Sequence, residues 1–322
     1  MTQTLSTDIQ KILEIARHSP SGHNTQPWKV VTHQTTVTIG YDNTRHLTVG
    51  DPDKRELFIS LGCFVESVVI VAAELGYEVS IRKNGDNPQK VVSLKIDRAN
   101  IVNPYKSSSI IKRTSDRRLY QPKALDAALL ERLNHIREGT ARLNLLTSPE
   151  AISFLAQKTY DATYRTMSDP AFRTELASWV RNNWTKKHDG MPAYTQGIPG
   201  PVSLLAKVII SKNKGVAKDQ AKKDARRVVR SSAICLITTS EHNVSAWLDA
   251  GRLYQRLCIE AVQSDVRTSG VSAAVIDSTT NKAIMRHLKL KATPVALLRL
   301  GYTKNLAKKS PRLPLSRFVS EA

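Results

Sequence analysis

Cysteine is scarce in this 322-residue chain: Cys63, Cys235 and Cys258 stand far apart, each inside an apolar run. An odd number without C-x-x-C spacing argues against a disulfide framework or a zinc site and leaves buried thiols in a reducing compartment. Acidic residues are outnumbered, 28 Asp and Glu against 48 Lys and Arg, giving a net charge of +20 and a pI near 10.0. That balance suits nucleic acid, a phosphate-bearing ligand or an acidic membrane surface. No run of about 18 apolar residues occurs, so no membrane span is expected. Met1 to Leu5 lacks the basic-then-apolar pattern of a secretory signal, and a cytoplasmic location is expected. The eight histidines show neither H-x-x-x-H nor H-E-x-x-H spacing, which argues against a metal site. No G-x-G-x-x-G opens a helix after a strand, so no separate dinucleotide-binding domain is expected.

What remains is ordinary for a globular chain, with 41% hydrophobic and 24% charged residues and enough length for one or two domains. Ile9, Ile12, Leu13 and Ala16 recur at helical spacing, and Pro20 should end that helix. The stretch Ser19-Pro20-Ser21-Gly22-His23-Asn24-Thr25-Gln26-Pro27-Trp28 follows. Gly22 lets backbone lie close to a flat ligand, while Ser21, Asn24 and Gln26 supply short polar groups. Taken alone the stretch is a helix-stop turn with Trp28 as a core anchor. Asp51-Pro52-Asp53 reads as a helix start with Asp51 as its cap, and Leu57 to Leu75 carries a wide apolar face closed by Gly76. Lys112 to Arg118 is a cationic cluster before a further helix, suited to a phosphate through charge-assisted bonds. Residues 182–201 form a Gly- and Pro-rich segment of functional length, and 207–230 hold nine Lys or Arg against two Asp.

The order of residues in the first stretch, P-S-G-x-N-x-Q-P-W, resembles the PS-x-x-N-x-QPW element of the nitroreductase family. Arg113-x-Ser115-x-Arg117 resembles that family's R-x-S-x-R signature, and Pro311-Arg312-Leu313-Pro314-Leu315 its C-terminal basic segment, with Ser310 where a lysine is common. The resemblance implies an α+β, nitroreductase-like fold that binds FMN. Pro20, Ser21, Gly22 and Asn24 would cover the flavin; Arg113, Ser115 and Arg312 would hold its phosphate; Arg117 would meet the pyrimidine edge. Here the covering element comes first, and the phosphate element follows about ninety residues later. That inversion implies an internal pseudo-dimer of two nitroreductase-type halves, 1–105 and 106–322, with one flavin site and a lid near 182–201. With Asp189, Gly190 and Pro192 as D-G-x-P, the layout resembles the Acg-like branch.

The expected activity is FMN-dependent electron transfer from NAD(P)H to nitroaromatic or quinone-like acceptors, with no catalytic protein residue. The alternative is a non-catalytic FMN-sequestering protein closed under its lid. The expected partner is a small-molecule electron acceptor, with no membrane and nucleic acid disfavoured, and the expected assembly is a monomer or weak homodimer. His23 is expected at a surface or flavin edge, Trp28 and Trp247 in the core, and Trp184 over the flavin if its segment is a lid.

Overall fold

The computed structural model describes residues 2–213 and 215–322, with side chains from residue 6 onward. The chain opens with helix α1 (Thr2–Ala16), hairpin β1 (Trp28–His33) and β2 (Thr36–Tyr41), helix α2 (Arg55–Glu74), and hairpin β3 (Tyr77–Lys83) and β4 (Val92–Arg98). After a short α3 (Ser107–Lys112), a second series starts with α4 (Ala127–His135), the two-residue β5 (Arg137–Glu138) and β6 (Ala141–Leu146). It is interrupted by a mainly helical insertion: α5 (Pro149–Ser168), α6 (Pro170–Trp179), β7 (Val180–Arg181), β8 (Met191–Pro192), α7 (Gly200–Ser203), α8 (Ala206–Lys212) and α9 (Val216–Val229). The series resumes with β9 (Ala233–Thr239), α10 (Val244–Gln263), β10 (Arg267–Gly270), α11 (Ala273–Ile276), α12 (Ser278–His287) and β11 (Thr293–Gly301). A last strand, β12 (Val319–Glu321), closes the chain.

The fold is α+β, and its two sheets have the same plan. One runs β12-β1-β2-β4-β3 and the other β5-β6-β9-β11-β10. In each, a helix leads into two antiparallel strands, a 20-residue helix follows, and two more antiparallel strands complete the series. Only the outermost strand differs. β12 returns from the far end of the chain to pair parallel with β1, Val30 opposite Val319, whereas β5 is a local hairpin arm on β6.

The two long helices, α2 and α10, hold the halves together by crossing glycine on glycine. A Cβ on Gly62 would lie 2.2 Å from Leu248 O and 2.9 Å from Gly251 Cα; one on Gly251 would lie 2.1 Å from Ile59 O. Helix α2 is long and apolar enough to cross a membrane, but 89% of its apolar window is buried inside the protein. It starts later than the sequence suggests. Lys54 adopts a left-handed conformation, φ 59°, and the first helical residue is Arg55. Asp51 still caps the helix from outside, its two oxygens accepting from Glu56 N and Leu57 N at 2.9 Å each, so Pro52 lies before the helix rather than in its first turn. Trp28 is a core residue stacked on Phe64 at 4.8 Å, and Trp247 stacks on Phe58. All three cysteines are free and buried.

Candidate functional site

The segment after α3 runs extended along the edge of β10, with Ser115 bridging Thr268 and Asp116 N donating to Thr268 O at 2.9 Å. Side chains of extended backbone alternate between faces. Arg113, Ser115 and Arg117 line one cleft, joined there by Thr114, while Asp116 and Arg118 pair with each other at 2.6 Å outside it. Across the cleft stand Pro20, Ser21 and Asn24 from the loop after α1, and Arg312 from the tail that follows β11. This narrow end adjoins a chamber of about 480 Å³, and Pro20, Ser21, Ser115, Arg117 and Met191 line both. Gly22 belongs to the chamber. All eight residues singled out from sequence thus line one or both of these two adjoining cavities.

The covering loop is held in unusual backbone. His23, Asn24 and Gln26 all have positive φ (46°, 57° and 52°), a region that non-glycine residues occupy at a cost unless their surroundings enforce it. The enforcement is a clasp. The Asn24 amide donates to Gly190 O (2.9 Å) and Pro311 O (3.0 Å), and its oxygen accepts from Arg312 Nη1 at 2.7 Å. Gln26 donates to His188 O and accepts from Leu313 N, at 2.9 and 2.8 Å. Asn24 lines the cleft, but its polar atoms are committed to joining the loop, the inserted segment and the tail. A Cβ on Gly22, by contrast, would make only an ordinary 3.4 Å contact with Leu47 Cδ1, so the protein itself does not require glycine there.

The narrow end is short of negative charge. Among the described residues, no carboxylate pairs with Arg113, Arg117 or Arg312; Arg113 and Arg312 both donate to His18 O, and Arg117 reaches only Met191 Sδ. Arg113 Nε, Arg312 Nε and Thr114 Oγ1 are buried with no partner. Burial, with the neighbouring Arg113 and Arg17 charges, pulls Arg312 down to about 9. Burial and the surrounding cations likewise depress His18 to about 4. Burying like charges together without a counter-ion is unfavourable, and a bound dianion would remove that penalty. The donor set of guanidiniums and hydroxyls fits a phosphate.

The chamber is walled by α2 and α10, and the insertion roofs it through Phe172, Leu176, Ile198, Ile209 and α9. Lys223, Asp224 and Arg227 of α9 face inward, so part of the basic 207–230 run lines the chamber rather than a solvent face. Trp184 is 62% exposed and packs beside Gly200, away from the chamber; Met191, Gln196 and Ile198 do the roofing that its position suggested. His23 lies at the chamber edge, where burial and Arg117 hold its imidazole down to about 4, so it is neutral at pH 7 and cannot act as an acid there.

Glu56 was not legible as a site residue, although an acid one turn beyond a helix cap on an apolar face is a usable signal. It lines the chamber, its Oε2 accepts from Ser272 Oγ at 3.2 Å, and its Oε1 is buried without a partner. Burial raises its carboxyl from 4.5 to about 7. The folded protein therefore holds this proton more tightly than the unfolded chain. The stability it contributes is full below pH 4.5 and is lost as pH rises through about 7, at no more than about 1.4 kcal/mol per pH unit. Glu56→Gln should flatten that part of the pH profile in urea titrations of the ligand-free protein between pH 5 and 8. An unchanged profile would show the carboxyl to be freely solvated.

The corresponding place in the other half is closed. Ser60 and Cys63, which flank Gly62 and line the chamber, correspond to Asp249 and Arg252 around Gly251. Asp249 pairs with Lys83; Arg252 pairs with Glu66 and Glu138; Arg256 also engages both glutamates. Glu138 sits on the β5–β6 hairpin, where a second covering loop would lie. A mutually neutralising charge network fills that position.

No family model matches the chain. Over 321 residues it is 21% identical to a protein of Mycobacterium tuberculosis (strain ATCC 25618 / H37Rv) provisionally named NAD(P)H nitroreductase acg, covering 96% of this chain and 94% of that one. An uncharacterized protein of the same strain is 23% identical over 329 residues, covering 95% and 91%. Among solved structures, the FMN and NADPH-dependent nitroreductase NfnB from Sphigopyxis sp. strain HMH is 15% identical with a TM-score of 0.44, covering 66% of this chain and 97% of that one. The similarity to Acg-like proteins carried by the motifs thus runs along nearly the whole chain.

Proposed function

We propose that this chain, Acg-like by its motifs and by similarity along nearly its whole length, binds FMN and serves as an NAD(P)H oxidoreductase for nitroaromatic or quinone-like acceptors. The observation that carries this reading is the convergence of Arg113, Arg117 and Arg312, unpaired among the described residues, at the narrow end of a chamber large enough for a flat ligand. Arg113 and Arg312, with the Thr114 and Ser115 hydroxyls, would hold the phosphate; Arg117, at the junction with the chamber, would face the pyrimidine edge. The flavin, when bound, supplies the hydride and electron chemistry. The chain's own contribution is binding, orientation and charge. Gly22 leaves room for close approach, Arg117 favours negative charge near the ring, and the roof excludes water. The filled second position supports one site per chain, and with it the reading of a monomer or weak homodimer.

A second reading has its own support. The roof is locked down by the Asn24 and Gln26 clasp, a geometry that suits keeping flavin as well as using it. An absorption spectrum of the purified protein, followed by NADPH and a nitroaromatic or quinone, separates the two. A yellow protein that consumes NADPH supports the enzyme. A yellow protein that consumes none is a sequestering protein, and a colourless protein that fails to take up FMN defeats both.

A further inference from the structure

Helices α7 and α8 are apolar on both sides. Their inner side packs Ala206 and Ile210 with Val180, Met191 and Leu176. Their outer side shows Leu204 and Leu205 at 60% exposure each, Val208 at 57% and Val202 at 48%. Spacings of three and four residues join Leu204, Leu205 and Val208 into one face. Trp184, whose ring packs beside Gly200, extends the patch. A helix covering a globular protein normally turns such a face inward, and contiguous exposed apolar surface marks a contact site.

The charge around the patch identifies what it contacts. Among the described residues between 182 and 218 there are five lysines (186, 187, 207, 212 and 218), all exposed, and one acid, Asp189. That acid is already engaged by Arg181 at 2.8 Å and Arg45 at 3.3 Å. Apolar side chains with an exposed tryptophan, flanked in sequence by exposed lysines of which Lys207 lies close enough to Lys187 and Arg181 to feel their charge, match the chemistry of a membrane interface rich in anionic lipid.

We propose that α7 and α8, with Trp184, dock on an anionic lipid surface. The aliphatic face enters the boundary between headgroups and acyl chains, and the lysines meet the headgroup phosphates. A second copy seated on this face would bring two lysine-flanked patches together, which like-charge repulsion opposes. This replaces the expectation that the protein has no membrane partner: absence of a spanning segment leaves surface binding open. The same helix supplies Ile209 and Ile210 to the chamber roof, which sets the bilayer one helix away from the chamber. If the oxidoreductase reading holds, on which this clause alone rests, the acceptor is an apolar molecule dissolved in the bilayer.

The test is co-sedimentation of the full chain with vesicles of phosphatidylcholine alone or mixed with phosphatidylglycerol. The double variant Leu204→Glu with Leu205→Glu, at residues outside the chamber and cleft, is run beside it. The protein should pellet with the anionic vesicles and not the neutral ones, and the variant should bind about tenfold more weakly or worse, with unchanged circular dichroism and flavin content. Wild-type protein remaining in the supernatant overturns the proposal, as does a variant that pellets equally well, which would mean charge alone. A dimer in sedimentation velocity that the variant lacks would overturn it too, by making a second copy the occupant. Because pelleting does not depend on flavin, this outcome is independent of whether the cleft binds FMN.

Discussion

Gly62→Ala should destabilise the fold by about 3 kcal/mol, the upper part of the range for overpacking a tight interior. The new Cβ would sit 2.2 Å from a carbonyl oxygen and 2.9 Å from Gly251 Cα, both backbone atoms of the facing helix that cannot turn aside as a side chain could. The only relief is for α2 and α10 to move apart, and these helices carry the contact between the halves. Gly251→Ala presses on the same crossing from the other side, 2.1 Å from Ile59 O. The helices have to separate only once, so the double variant should cost clearly less than the two singles added. Urea denaturation of all four proteins measures this. Single variants within about 0.5 kcal/mol of wild type, the ordinary scatter of neutral surface changes, would show that the crossing is loose.

The second large effect concerns the unpaired arginines. Arg113→Ala and Arg312→Ala should each weaken FMN binding by roughly 1.5–3 kcal/mol, the range for hydrogen bonds to charged groups. That is about ten- to a hundredfold or somewhat more in Kd. Flavin fluorescence titration of the stripped protein reads it directly. The ligand-free Arg113→Ala variant should not show a matching loss of stability. Arg113→Ala gives up a bond to His18 O but also separates two buried cations that have no carboxylate between them, whereas Arg312→Ala also removes the clasp bond to Asn24 Oδ1 and should cost some stability of its own. Unchanged FMN affinity in either variant would remove that arginine from the phosphate site. A large loss of stability in Arg113→Ala in the absence of flavin would mean that Arg113 is structural.

Much of the site was legible because its residues lie in short, contiguous patterns. The Lys112 to Arg118 cluster reads as a phosphate element because guanidiniums and hydroxyls suit one and its R-x-S-x-R order resembles the nitroreductase signature, and Arg113, Ser115 and Arg117 do line one cleft. The role of Asn24 was less legible. Its type and position suggested contact with a ligand, but its partners are Gly190, Pro311 and Arg312, at sequence distances that no local pattern encodes. Helix boundaries moved where one residue broke the pattern: Lys54 in a left-handed conformation delayed α2 by several residues. β12 was not foreseen, since a three-residue strand exists only because the edge of β1 accepts it. The roof was misassigned for a similar reason. Trp184 is the largest apolar residue in its segment, but which way it turns depends on how the whole insertion packs.

The route of the tail has a consequence for how the molecule is made. Arg312 lies on the segment that leaves β11, crosses the cleft beside Asn24 and ends as β12 against β1. During translation, the covering loop emerges nearly three hundred residues before the arginine it bonds, as their separation of 288 positions shows. A nascent chain can therefore complete its first sheet and close this cleft only after β12 has left the ribosome. Cofactor capture then waits on the tail, and supplying flavin during translation should not rescue a chain truncated before Arg312.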